Sequence, residues 1–307
     1  FAISFYDGAR LQLSAVLATV LFLGFVGLLD DFIGISQAKK IILCAFAGLP
    51  LVAAHAGGMV TEIHALLLSI PAVKILSEVL IFIFAGISCY YFIKKRPVLG
   101  VIFALLTASA IAFTSYFNFY WVLIPIGVTA AANATNMLAG FNGLEVGVGA
   151  IASFFVTIDA YLLKRYDAVI VSIALLGACL GFIIYNKFPA KIFPGDVGTL
   201  VIGGTIAASS IIGHFEIAAA SAIAPALLDF ILKARVGFRK DITLRTIPKL
   251  ENNKVILIPP KGIPSLLHIF LNHKKMTEPE LVRNIWFLCI ISGIFSIIYL
   301  MLRHKFI

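Results

Sequence analysis

Charge is what this sequence has least of. Only 13% of its 307 residues are Asp, Glu, Lys or Arg, against 61% hydrophobic residues and a mean hydropathy of +1.04. A chain so poor in charge cannot cover a water-facing surface, which excludes a soluble globular protein and implies a polytopic membrane protein. Cysteine is scarce too. Cys44, Cys89, Cys179 and Cys289 each stand alone in an apolar run, so neither a disulfide framework nor a zinc site is indicated. The alternating segments of about ten residues that a transmembrane β-barrel needs are also missing. No signal-peptide pattern is present and Phe1 stands where Met would, so the chain is expected to start partway into a longer protein.

What is present is a series of ten apolar segments: 11–29, 41–57, 75–93, 98–115, 118–138, 146–163, 168–186, 199–213, 216–232 and 284–302. Runs of about 17–25 apolar residues suit the hydrocarbon thickness of a bilayer. The expected fold is an all-α polytopic bundle of about ten transmembrane helices, forming one membrane-embedded domain over 1–307. If each segment crosses once, one side receives the connection 30–40 that opens with Asp30-Asp31, together with 94–96, 133–145, 187–196 and 233–283. That side holds 18 of the 24 Lys and Arg, and the other holds 6. The positive-inside rule makes the richer side cytoplasmic. The polar motifs then face one compartment and can build one site.

The loop 233–283 carries eleven Lys and Arg against four acids, a net charge of +7. Such a loop suits anionic lipid, and equally a phosphate-rich substrate at the same face. Within it, 242–247 and 254–258 read as the strands of a β-hairpin turning at Glu251-Asn252-Asn253. Thr277-Glu278-Pro279-Glu280 reads as a capping box that opens the last helix.

Three motifs carry chemistry. The first closes 48 residues, 97–144, without a charged side chain: Asn133-Ala134-Thr135-Asn136-Met137-Leu138-Ala139-Gly140-Phe141-Asn142-Gly143-Leu144-Glu145. Unpaired amides at membrane depth cost several kcal/mol, so these asparagines are expected to have partners. Asn133 and Asn136 share one helix face, and Gly140 and Gly143 let backbone come close to a ligand. The second motif is Asp30-Asp31 with Lys40 nine residues on. Paired carboxylates at a helix C-terminus are mutually repulsive and oppose the helix dipole, so a cation is expected to offset both. Adjacent residues point about 100° apart on a helix, so the two Asp are expected to have different roles. The third is Phe193-Pro194-Gly195-Asp196-Val197-Gly198-Thr199, with Asp196 just ahead of a span. Asp196 and Asn136 offer hard oxygens suited to magnesium if their helices meet. Asp159 and Asp229, near the ends of their segments, read as interfacial residues or as buried functional acids, with the interface preferred, and His55, His268 and His273 show no metal-ligand spacing.

These motifs, in this order, resemble the polyprenyl-phosphate N-acetylhexosamine-1-phosphate transferases. The residues around Asn136 are most similar to the archaeal and eukaryotic branch, which makes N-acetylglucosaminyl-diphospho-dolichol for N-glycosylation. The resemblance covers 11–57 and 117–302. It implies a magnesium-dependent membrane enzyme, with manganese as a substitute. Such an enzyme moves GlcNAc-1-phosphate from UDP-GlcNAc to a polyprenyl or dolichyl phosphate and releases UMP. By match, Asn136 and Asp196 would hold the metal, and Lys40 would contact phosphate. Asp30 and Asp31 would position or deprotonate the lipid phosphate or support Lys40, and Asn133 would orient the site. Phe193 would stack on uracil, with Gly140 and Asn142 near the nucleoside. The active site would face the cytoplasm, in the plasma membrane of an archaeon or the endoplasmic reticulum of a eukaryote. The partners implied are the two substrates and the bilayer, without nucleic acid; a homodimer is compatible.

The sequence departs from the family pattern in three ways. The family's first two helices have no counterpart. Segments 75–93 and 98–115 read as an extra helical pair, 75–115, expected to lie outside the catalytic bundle. Before Ile247-Pro248, where relatives carry several cations, only Arg245 stands, and it is expected to grip the diphosphate. The competing readings are a transferase using another UDP-N-acetylhexosamine for envelope glycans, and a polytopic transporter built on broken helices.

Overall fold

The computed structural model describes residues 10–54, 71–94, 99, 102–104, 106, 107, 120–235, 249–251, 254–257, 265–274 and 276–303. The chain divides into two compact units, one formed by Phe1–Ala54 with Ile124–Ile307 and the other by His55–Leu123. In chain order the helices are α1 (Arg10–Ile33), α2 (Gln37–Ala47), α3 (Leu49–Ala54), α4 (Pro71–Ile93), α5 (Tyr120–Leu138), α6 (Leu144–Leu162), α7 (Tyr166–Asn186), α8 (Gly195–Gly213), α9 (Glu216–Ala222) and α10 (Ala224–Arg235). Strands β1 (Lys249–Glu251) and β2 (Lys254–Leu257), helix α11 (Leu266–His273), strand β3 (Met276–Thr277) and α12 (Glu278–Arg303) follow.

The fold is helical. Six helices among the described residues are long and apolar enough to cross a membrane, or seven if the bent pair α9–α10 counts as one. That is fewer than the ten apolar segments of the sequence, for definite reasons. Segment 98–115 lies largely outside the described residues. Segment 216–232 is two helices bent by 79° at Ile223, and adds a span only when the bent pair is counted as one. Pro225 fits the first turn of the second, where a missing N–H costs nothing. Segments 75–93 and 118–138 supply only shorter apolar stretches, Val79–Tyr91 and Val122–Leu138, whereas 41–57, built of α2 and α3 meeting at Gly48, is counted among the six.

The larger unit is built around α6 and α8. In the most apolar 18 residues of each, 72% are buried, against 22% for α7 and 28% for α12. Small residues explain which helices go inside. In an apolar solvent, helices associate by close packing and interhelical hydrogen bonds rather than by hydrophobic burial. A Cβ at Gly203 of α8 would overlap the Ala131 carbonyl and Thr135 Oγ1 of α5, and one at Gly147 of α6 would overlap Trp286 of α12. The hydroxyls complete the contacts: Thr135 Oγ1 donates to Thr199 O at 2.8 Å, and Ser209 Oγ to Ala168 O at 3.0 Å.

Three short strands form an antiparallel sheet in the order β1-β2-β3. Lys249 faces Ile256 and Ile256 faces Thr277, which ties the basic loop to the head of α12. The expected strand 254–258 falls on β2. Its partner lies at 249–251, closer to the turn, and 242–247 lies outside the described residues. The capping box at α12 is present in part, with Thr277 N–H donating to Glu280 Oε2 at 2.9 Å.

In the smaller unit, α4 carries Tyr91, whose ring stacks on Phe103 with centroids 5.7 Å apart.

Candidate functional site

The site begins where α1 ends. Gly34, at φ +63°, donates its N–H to Asp30 O at 2.9 Å and turns the chain out of the helix. This leaves Asp30 and Asp31 on the last turn with different work. Asp31 reaches across to α8. Both its oxygens accept the Asp196 N–H at 3.1 Å, and Oδ2 also accepts the Val197 N–H at 3.4 Å. A carboxylate from α1 thus caps the N-terminus of α8, where unpaired N–H groups and the helix dipole favour a negative charge.

Two glycines permit this docking. A Cβ on Gly27 would lie 2.5 Å from the Val197 backbone, and one on Gly195 would lie 2.6 Å from Asp31 Oδ2. Gly195 also stands at φ +61°, a conformation that L side chains avoid.

Asp30 serves the opposite end of the cluster. Its Oδ1 accepts the Ile35 N–H at 2.7 Å, and its Oδ2 pairs with Lys40 Nζ. Lys40 rises from α2 with its side chain 6% exposed and also meets Asp196 Oδ2 at 2.5 Å. One ammonium therefore bridges carboxylates from α1 and α8. Asp30, Asp31, Asp196 and Lys40 together carry a formal charge of −2, three negatives against one positive. A partly buried cluster of that sign attracts further cations.

The α5 terminus completes the wall. Asn136 Nδ2 donates to Thr199 Oγ1 at 2.9 Å and lies within hydrogen-bonding reach of Asp196. Asn133 is fully buried, donating to Thr129 O at 2.9 Å and accepting from Gln37 Nε2 at 3.3 Å. Beyond α5 the chain turns through Gly140, at φ +130°, and Gly143, at φ +79°. In this turn Asn142 bonds to Glu278 on one side and to Ala190 on the other. Phe193, in the connection from α7 to α8, is 54% exposed.

Asp30, Asp31, Lys40, Asn136 and Asp196 thus meet in one cluster, with Asn133 held behind it by Gln37. Gly140 and Asn142 lie in the turn after α5, and Phe193 lies three residues before Asp196. Arg245 lies outside the described residues. One expectation needs correction. Asp196 sits inside the first turn of α8 rather than ahead of it, because Asp31 supplies the cap from another helix. Asp159 and Asp229 are fully buried within the protein. Asp229 Oδ1 accepts the Leu266 N–H at 2.8 Å, its Oδ2 pairs with Lys233 at 2.7 Å, and Lys233 donates to Met137 O.

Gln37 and Lys233 were not singled out by sequence, and Thr199 and Glu278 were named only as the end of a motif and as part of a capping box. Thr199 was legible as the residue one turn after Gly195. The other three make contacts between residues 96 or more apart in the chain, which no local pattern encodes.

A divalent cation fits the donor set. Among the described residues no three His, Cys, Asp or Glu side chains form a complete metal cage. Yet Asp30 Oδ2 and Asp196 Oδ2 already converge on one cationic atom, with the Asn136 amide beside them. Magnesium suits such sites, being held by one or two carboxylates with substrate phosphates completing its shell.

The comparisons with known proteins bear on the same segments. The model of glycosyl transferase family 4 matches residues 13–214. A protein of Sulfolobus acidocaldarius is 31% identical over 93% of this chain and 73% of its own length. It is provisionally named as a UDP-N-acetylglucosamine–dolichyl-phosphate N-acetylglucosaminephosphotransferase. A provisionally named glycosyltransferase of Methanocaldococcus jannaschii is 35% identical over 67% of this chain and 68% of its own. A phospho-N-acetylmuramoyl-pentapeptide-transferase of Enterococcus faecalis is 43% identical, but over only 32% of this chain and 30% of its own. This chain belongs to glycosyl transferase family 4, the membrane enzymes that transfer an N-acetylhexosamine 1-phosphate to a polyprenyl phosphate.

Proposed function

We propose that this enzyme transfers GlcNAc-1-phosphate from UDP-GlcNAc to a dolichyl-type polyprenyl phosphate, releasing UMP, as the first lipid-linked step of N-glycan assembly. The observation that carries the reading is the convergence of Asp30, Lys40 and Asp196, with Asn136 beside them, from α1, α2, α8 and α5. The choice of sugar and lipid rests on the Sulfolobus relative, whose similarity runs over 93% of this chain. Relatives named for a muramoyl-pentapeptide substrate match less of it, from 32% to 66%.

The chemistry asks for positioning and charge neutralisation more than for covalent catalysis. An oxygen of the acceptor phosphate attacks the β-phosphorus of UDP-GlcNAc, a new P–O–P link forms, and the bond to UMP breaks. A phosphate monoester has a second pKa of about 6, so the acceptor is already nucleophilic near neutral pH and needs no strong base. Lys40 grips a phosphate oxygen. Asp30 holds Lys40 and orients the acceptor, while Asp31 keeps the α8 terminus, and with it Asp196, in place. Asn136 and Asp196 would hold magnesium, which when bound neutralises the diphosphate. Phe193, Gly140 and Asn142 receive the nucleoside, and Arg245 meets the diphosphate. The site faces the cytoplasm, the ten apolar segments act as ten crossings, and 75–115 stands apart from the chemistry.

The test is UMP release by the full-length protein from UDP-GlcNAc, with and without polyprenyl phosphate and with and without a magnesium chelator. Release that depends on both acceptor and magnesium supports the reading. Acceptor-independent release, or equal turnover with another UDP-N-acetylhexosamine, counts against it.

A further inference from the structure

The head of α12 makes a contact to the site that no motif announces. Glu278, the first residue of α12, is 6% exposed. Its Oε1 accepts the Asn142 backbone N–H at 2.6 Å and also the Asn142 Nδ2–H. On the other side, Asn142 Oδ1 accepts the Ala190 N–H at 2.8 Å. A carboxylate only accepts and a backbone N–H only donates, so these two neighbours fix the flip of the amide.

The bonds join three segments distant in sequence: the start of α12, the turn 139–143, and the connection 187–194 that carries Phe193. The α12 end is well anchored. Thr277 is paired through β3 and capped by Glu280, and Leu281 and Ile285 enter a buried cluster with Leu138, Phe141 and Leu144. The connection is pinned as well, with Asn186 Nδ2 donating to Ile192 O at 3.0 Å. Between these fixed parts the turn 139–143 is held by Asn142. A nearly buried carboxylate is costly without donors. Both donors that Oε1 accepts here come from Asn142, so releasing the turn would strand the charge.

We propose that Glu278 is a positioning residue for the nucleotide donor. By fixing Asn142 it sets the turn 139–143 against the Phe193 connection, and so governs affinity for a nucleoside diphosphate sugar rather than for the acceptor phosphate. This rests on the proposed reading that these two segments receive the nucleoside.

The experiment compares wild-type protein with Glu278→Ala and Glu278→Gln in detergent. It measures kcat, KM for UDP-GlcNAc and KM for polyprenyl phosphate. It also follows deuterium uptake at 139–143 and 187–194. Glu278→Ala should raise the donor KM about tenfold or more, the scale of losing hydrogen bonds to a charged acceptor, and leave the acceptor KM within about twofold. Glu278→Gln should stay within about threefold of wild type, because its carbonyl oxygen can accept the same two bonds. If Glu278→Ala does not fold, Asn142→Ser, which cuts the bridge to Ala190, should show the same donor-specific rise. A donor KM unchanged in Glu278→Ala, both KM values rising together, or Glu278→Gln as damaged as Glu278→Ala would overturn the proposal. Should wild-type protein fail to turn over UDP-GlcNAc, the substrate reading fails by itself. The bridge is then judged by deuterium uptake: faster in Glu278→Ala and near wild type in Glu278→Gln supports it, and unchanged uptake overturns it.

Discussion

Two corners of this protein bury a lysine against aspartate, and they are not alike. At the first, Lys40 is shared by Asp30 and Asp196, whose side chains are 14% and 27% exposed. Four charged groups from three helices leave a formal charge of −2, in reach of a ligand. At the second, Lys233 pairs with Asp229 one turn away on the same helix, and Asp229 is fully buried. Every charge there has a local answer: Asp229 caps α11 through the Leu266 N–H, and Lys233 caps α5 through Met137 O. A neutral, closed pair serves to lock helices together. A pair with surplus charge and an open side is the one that can work on a substrate. Burial of a carboxylate by itself does not separate the two cases; the sum of charge and the remaining access do.

The largest expected effect breaks the first corner. Asp196→Ala should lower kcat/KM for UDP-GlcNAc by about 10⁴-fold, roughly 5 kcal/mol, if Asp196 both receives Lys40 and helps hold magnesium. Its melting temperature should change little, because Asp31 caps α8 through backbone N–H groups that the substitution keeps. Near-normal magnesium-dependent turnover would remove Asp196 from the chemistry.

Breaking the second corner should do the reverse. Asp229→Ala leaves Lys233 without its carboxylate and the α11 terminus uncapped, at a cost of about 3–5 kcal/mol in stability. Turnover per folded molecule should stay within a few-fold of wild type. Thermal unfolding alongside active-site titration separates the two quantities, and a soluble-looking stability with lost turnover would erase the contrast between the corners.

Acid sharpens the comparison at the same place. His268 is fully buried beside this pair, bonded to Ser265 Oγ at 2.5 Å. Burial first, and the Lys233 ammonium second, push its imidazole down to about 4 from an ordinary 6.5. A depressed folded value means that the neutral ring stabilises the fold above pH 6.5 and that this contribution is lost as pH falls from 6.5 towards 4. The loss is on the order of 3 kcal/mol at most. His268→Gln should flatten the stability profile in that window; an unchanged acid slope would place its cause elsewhere.

The smallest effect separates the two neighbouring aspartates. Asp31→Asn keeps an oxygen for the α8 cap and should cost about 1 kcal/mol of stability with a modest loss of turnover. Asp30→Asn weakens the hold on Lys40 and should lose more turnover than stability. Equal kinetic losses in the two variants would mean that the cap and the lysine partner cannot be told apart in function.

The amino-acid order by itself determined that the chain is apolar and helical, where most helices lie, and which polar residues stand out as candidates. Charge is so rare here that each polar motif stood out against its background. Asp30, Asp31, Lys40, Asn136 and Asp196 were legible for that reason. Whether a segment runs straight was not legible, because apolar periodicity is the same on both sides of a bend. Only the folded chain turned 216–232 by 79° at Ile223 and brought Asp229 inside. The division of labour within Asp30-Asp31 was also tertiary. Identical side chains on adjacent residues differ only in what other helices set before them, Lys40 for one and the α8 terminus for the other. Glu278 shows the limit most plainly: it read as part of a cap for its own helix, and the hydrogen bonds it makes are to Asn142, 136 residues away in the chain. Hydrogen bonds across such separations depend on how helices dock, which the local sequence around either partner does not contain.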